Sequence, residues 1–154
     1  MMPSMANVRY VEPGWFTRNV FNPTVVLLTR AGLSFWGSRI LQVRGRKTGA
    51  IRETPVNVLT YEGSQYLVAP RGETQWVRNL RAADGGALRL GRRTERFRAV
   101  EILDEDKPDI LRVYLQRWKA EVGVFFGGVG AASSEKDLLR IAPNHPVFRI
   151  DLTA

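Results

Sequence analysis

The 154-residue chain contains no cysteine and a single histidine, His145. Disulfides, thiolate metal sites and cysteine nucleophiles are thereby excluded. With one imidazole, neither a histidine-built metal site nor a serine–histidine pair is expected, so no metal is assigned. Long apolar runs are also missing. The most apolar stretch, Trp15 to Leu41, is interrupted by Arg18, Asn22, Pro23, Arg30 and Arg39. A plain spanning helix needs roughly 20 mostly apolar residues, and no secretory signal stands out. The expected compartment is cytoplasmic.

Acidic residues are scarce relative to basic ones: 23 Lys or Arg against 15 Asp or Glu, a net charge of +8. The excess is local. Arg39 to Arg98 holds thirteen Lys or Arg and five Asp or Glu, and the rest of the chain is neutral. A field concentrated in this way attracts anions, whether nucleic acid, an anionic membrane surface or an anionic cofactor. With 44% hydrophobic and 25% charged residues the chain reads as one globular domain with a substantial core.

The order of elements follows from periodicity and punctuation. Asn22-Pro23 is a helix start, with Asn as N-cap and Pro at the first helical position. Residues 1–38 are read as a helical, aromatic N-terminal segment. Its Trp15, Phe16, Phe21, Phe35 and Trp36, mixed with Arg, suit either core packing or an interfacial contact with lipid over residues 15–41. Residues 39–154 are read as the binding domain. Strands are expected at Arg39–Arg44, Thr54–Tyr61, Gln65–Ala69, Ala87–Leu90, Arg96–Leu103 and Val147–Leu152. Thr74 is expected to cap a helix over Gln75–Ala83 that ends at Asp84-Gly85-Gly86. An acidic start at Asp104–Asp106 with Pro108 opens a helix running to Lys119, and a short helix is expected over Ser134–Ile141. About six strands without βαβ alternation predict a mainly β, α+β fold: a small, mostly antiparallel barrel with short peripheral helices.

The densest chemical signal is Gly45-Arg46-Lys47-Thr48-Gly49-Ala50-Ile51-Arg52. Glycines allow close backbone approach to a ligand, turn amides can face an anion, and the cations and the Thr48 hydroxyl add donors. A P-loop is rejected because Arg46 precedes Lys47 where Gly is required, and a strand follows instead of a helix. A solvated basic turn is the bland reading. Pro70-Arg71-Gly72 running into a helix is a second anion-binding pattern. Trp76 and Asn79, one turn apart on that helix, can share one space beside it. A flat aromatic and an amide beside cations suit a flat heterocycle with polar edges. The run Arg89, Arg92, Arg93, Arg96, Arg98 lacks interleaved aromatics apart from Phe97 and alternates between two faces, so nucleic acid is not the expected partner. His145, in Pro143-Asn144-His145-Pro146, reads as a structural turn residue. Tyr114 and Trp118 share a helix face and read as core or as a cavity wall.

Taken in order, Gly45-Arg46-Lys47-Thr48-Gly49, Arg52-Glu53-Thr54-Pro55, Pro70-Arg71-Gly72 and Trp76-Val77-Arg78-Asn79-Leu80 resemble the deazaflavin-dependent nitroreductase family. That family belongs to the actinobacterial split β-barrel flavin and deazaflavin oxidoreductases. The tail Ile141–Ile150 is similar to a lineage described as lipid- or quinone-associated. The resemblance implies a split β-barrel that binds coenzyme F-420, an 8-hydroxy-5-deazaflavin with a phospholactyl and oligoglutamate tail; flavin mononucleotide is the alternative on the same fold. It implies that Arg46, Lys47, Thr48, Gly49, Arg52, Pro70, Arg71 and Gly72 surround the tail. It places Pro55, Asn57, Trp76 and Asn79 around the ring. The implied reaction is hydride transfer from reduced deazaflavin to an apolar, electron-poor molecule: a quinone, enone, unsaturated lipid or nitro compound. No catalytic residue is assigned: the proton donor is solvent or Tyr114. A peripheral position on the inner face of the membrane, or fatty-acid contact, and a monomeric or homodimeric state complete the expectation. The loop before Trp76 is short and carries Arg71 where the family has Lys, which changes the geometry of anion contact. The C-terminal tyrosines of nitroimidazole-reducing relatives have no counterpart here.

Overall fold

A computed structural model describes residues 38–153 of the chain. The expected helix from Asn22, and nearly all of the interfacial stretch 15–41, lie outside the described residues. Six strands are present: β1 Ser38–Arg44, β2 Ile51–Tyr61, β3 Ser64–Val68, β4 Gly85–Leu90, β5 Arg93–Glu101 and β6 Val147–Leu152. Among the described residues three α-helices accompany them: α1 Gln75–Ala83, α2 Pro108–Val122 and α3 Glu135–Ile141. The strands close into an antiparallel barrel in the order β1-β2-β3-β6-β5-β4. The expected fold is the observed one.

Strand alternation builds the interior. Leu41, Val43, Val56, Val58, Leu67, Leu88, Phe97, Phe148 and Ile150 gather in one buried cluster, to which α1 adds Val77 and Leu80. Leu59, Val68 and Val147, of opposite phase on their strands, pack into a second cluster outside the barrel. There they meet Ile110, Leu111, Tyr114, Leu115, Trp118 and Val122 of α2, which recur at three- and four-residue spacing and so share one helix face. Burying a side chain of this size stabilises by about 1.5–3 kcal/mol relative to leaving it in water. His145 joins this layer fully buried, its ring stacked on Phe126 at 3.9 Å, in keeping with a structural role.

β2 positions the site, because it changes partners midway. Ile51–Asn57 pair with β1, whereas Val58–Tyr61 pair with β3. The two neighbours diverge at that point, and the barrel splits beside Thr54–Asn57. Several boundaries differ from expectation: β5 runs Arg93–Glu101 rather than Arg96–Leu103, β1, β3 and α3 shift by one residue, and three further differences have a clear cause. β2 begins at Ile51, because Ile51, Arg52 and Glu53 find cross-strand partners in Arg44, Val43 and Gln42. α2 continues to Val122, whose side chain is buried. Gly85 and Gly86 belong to β4 rather than to the loop after α1. A Cβ on Gly85 would collide with the carbonyl of Phe97, and one on Gly86 with that of Gln42, so strand contact rather than a turn requires glycine here. The basic run is divided between faces: Arg89 is held by Gly91 O and lies 3.9 Å from Glu53, while Arg96 and Arg98 alternate with the inward Phe97. No helix among the described residues is long and apolar enough to cross a membrane.

Candidate active site

The turn between β1 and β2 is rigid for a loop so rich in charge. Gly45 N donates to Ala50 O at 2.7 Å, and Gly49 N donates to Gly45 O at 2.9 Å. Arg44 Nη1 adds a bond to Gly49 O, and Ala50 N donates to Thr48 Oγ1. Gly49 has φ +78°, a left-handed conformation that favours glycine. The turn is then clasped to α1. Asn79 Oδ1 accepts from the backbone amide of Arg46 at 3.1 Å and from Arg46 Nη1 at 2.8 Å, and Nη1 also donates to Gln75 Oε1. Asn79 is 5% exposed, so this carbonyl forms a buried anchor. The arrangement separates the cations by role: Arg46 holds the turn in place, whereas the side chains of Lys47 and Arg52 have no ion-pair or hydrogen-bond partner among the described residues.

Above this turn lies a cavity of about 370 Å³. Gly45, Arg46, Lys47, Thr48, Arg52 and the acidic Glu53 supply its polar wall, and Leu41, Val43 and Trp76 its apolar one, with Asn79 and Gln75 at the helix side. A smaller cavity of about 50 Å³ occupies the split where β2 leaves β3. It is lined by Pro55 and Asn57 from β2, by Ala69, Pro70 and Arg71 after β3, by Thr74 and Trp76, and at its base by Tyr114. Thr54 and Trp76 border both cavities. The structure therefore brings together Arg46, Lys47, Thr48, Arg52, Trp76 and Asn79 in one compartment and Pro55, Asn57, Pro70, Arg71, Trp76 and Tyr114 in the next. Gly49 and Gly72 line neither; both shape the loops behind the walls, at φ +78° and +90°. Tyr114 is 2% exposed and packs 5.1 Å from the Trp118 ring, so it is a core residue that also forms a cavity floor.

Thr74 was legible only as a helix cap, and it does not cap. It occupies the N-cap position of α1, but its side chain makes no capping bond. Its Oγ1 is buried without a hydrogen-bond partner. A buried unsatisfied hydroxyl costs about 1–3 kcal/mol. Thr74→Val, which keeps the shape and removes the hydroxyl, is expected to raise stability by about 1–2 kcal/mol. The readout is a higher urea midpoint at unchanged m-value; a lower midpoint would show that the hydroxyl is bonded in solution.

A six-stranded antiparallel barrel, split beside one strand and carrying a cationic pocket against a flat aromatic, defines a split-barrel redox protein. The sequence pattern of the F420H(2)-dependent quinone reductase family matches residues 17–124, and the chain belongs to that family. It is an F420H2-dependent reductase, and its cofactor is coenzyme F-420. Among curated proteins none matches. Solved structures share the fold. An F420-H2 dependent reductase, FDR-A, is 16% identical with a TM-score of 0.51, over 75% of this chain and 94% of its own. A protein described as a domain-swapped dimer is 17% identical with a TM-score of 0.54, over 88% and 98%. Atu2129 from Agrobacterium tumefaciens is 17% identical with a TM-score of 0.56, over 85% and 54%.

The residues present fit the cofactor. Its tail is polyanionic, and the larger cavity carries two cations whose donors are uncommitted within the described chain. Its ring is flat with polar edges, and the split offers Trp76, the Pro55–Asn57 strand and a buried, unpartnered hydroxyl.

Proposed function

We propose that the chain uses F-420H2 to reduce an apolar, electron-poor acceptor of the quinone type. Lys47, Arg52 and Thr48 bind the phosphate and tail carboxylates, with Arg71 beside them. Trp76, Pro55 and Asn57 orient the ring. The single observation that carries this reading is the meeting of the cationic cavity and the apolar split at Trp76. Reduced deazaflavin supplies a hydride from its C5. The protein does the rest by position: charge-assisted bonds fix the anionic tail, and Trp76 and Pro55 keep water from the reacting face. Tyr114, on the floor of the split, faces the region from which an acceptor would take its proton. The absence of C-terminal tyrosine counterparts weighs against nitroimidazoles. Contact of residues 15–41 with a membrane or fatty acid, and dimer formation, belong to the same proposal; the domain-swapped neighbour gives the dimer its support.

The test is titration with oxidised F-420, followed by oxidation of F-420H2 in the presence of a naphthoquinone, an enone and a nitroimidazole in parallel. Saturable binding and a kcat/KM for the quinone above that for the other two are expected. Binding with enone or nitro reduction dominant would overturn the acceptor class, and no binding would overturn the site.

A further inference from the structure

The loop that carries Arg71 into α1 also carries an acid. Glu73 stands between two residues that line the split cavity, Arg71 on one side of Gly72 and Thr74 directly after it. A carboxylate at that place repels a polyanionic ligand or competes for its arginine. It is captured instead. Arg81, two turns further along α1, donates Nη1 to Glu73 Oε2 at 2.7 Å. The same guanidinium grips Glu101 at the end of β5 in fork geometry, Nε to Oε1 at 2.9 Å and Nη2 to Oε2 at 2.7 Å. Planar bidentate pairing of this kind fixes orientation as well as charge. The hydrogen bond to Glu101 leads the influences that push the Arg81 guanidinium further above its already high range. The Glu73 side chain is 19% exposed, less than either partner, so its charge is held inside the clasp and away from solvent.

We propose that Arg81 is a positioning residue for anion recognition: by anchoring itself on Glu101 it sequesters Glu73 from the anion site. This rests on the reading of that site given above. Glu101 is the fixed post, Arg81 the tether and Glu73 the charge withheld. The tether turns the Glu73 carboxylate toward Arg81 and Glu101.

The experiment compares variants of equal formal charge in the whole chain. Arg81→Met frees Glu73 and is expected to weaken F-420 binding about tenfold at low salt, the scale of one nearby unscreened charge. Glu73→Gln/Arg81→Met restores the clasp's original net charge and removes the released acid, so its Kd returns to within about twofold of wild type. Arg81→Met/Glu101→Gln has that same charge but leaves Glu73 loose, and it stays weak. A purely structural clasp predicts the opposite ordering, with both double variants as poor as Arg81→Met or poorer, and that result overturns the proposal. Equal Kd for Arg81→Met and wild type overturns it too. Failure of the wild type to bind F-420 instead removes the underlying site assignment. Should Arg81→Met fail to fold, Glu73→Gln alone carries the test: its Kd is at or below the wild-type value, and a rise above it refutes sequestration.

Discussion

Lys47→Glu is expected to weaken binding of F-420 by about 10²–10³-fold while leaving thermal stability nearly unchanged. Lys47 is exposed at the rim of the larger cavity and has no partner among the described residues, so its replacement removes nothing from the free protein. In the complex its ammonium would make a charge-assisted bond to phosphate or carboxylate, worth about 1.5–3 kcal/mol. Reversing the charge adds repulsion on the order of 1 kcal/mol or more at near-surface dielectric. Fluorescence titration at two ionic strengths checks both parts, because the gap between variant and wild type narrows as salt rises. A Kd within a factor of two of wild type would remove the turn from the binding site.

The second large effect is expected at Asn79. Its Oδ1 is a buried acceptor serving both the backbone amide and the guanidinium of Arg46. Asn79→Ala deletes two bonds together and leaves the Arg46 Nη1–Gln75 Oε1 bond to hold the turn to α1. The expected loss is about 2–4 kcal/mol of stability, with at least a tenfold loss of F-420 affinity. Asn79→Asp separates the two consequences. It keeps the acceptor and gains charge toward Arg46, so the melting temperature holds, while the added anion beside the pocket lowers affinity. A pair of urea curves with two ligand titrations reads all four numbers. Equal stability of Asn79→Ala and wild type would show that the clasp does not form.

Local pattern made some of this legible in the amino-acid sequence. α1 occupies Gln75–Ala83 and β6 Val147–Leu152 as expected, because each is bounded by its own punctuation, Gly72 and Asp84 for the helix and Pro146 for the strand. Order along the chain also grouped the cationic turn with the Trp76–Asn79 pair, and the fold brings them to one cavity. What eluded sequence reasoning depends on closure of the barrel. Gly85 and Gly86 look like helix-ending glycines until Phe97 and Gln42 press their carbonyls against them. Ile51–Glu53 look like turn until β1 supplies the ladder. Asn79 suits the edge of a heterocycle by composition, yet the fold turns its carbonyl toward Arg46. Glu73, Arg81 and Glu101 span 29 residues and meet only when β5 passes α1. Thr74 has the identity of a helix cap, and only the fold shows the bond unmade.

Where β2 abandons β3, the main chain from Thr54 to Asn57 keeps a ladder on one flank only. Bare strand margins elsewhere invite neighbouring molecules to zip on and grow into aggregates. This margin borders a cavity of only about 50 Å³ shared with Trp76 and Arg71. Among the described residues no strand completes that flank, so the same change of partner that closes the barrel also gives it a margin suited to a small guest.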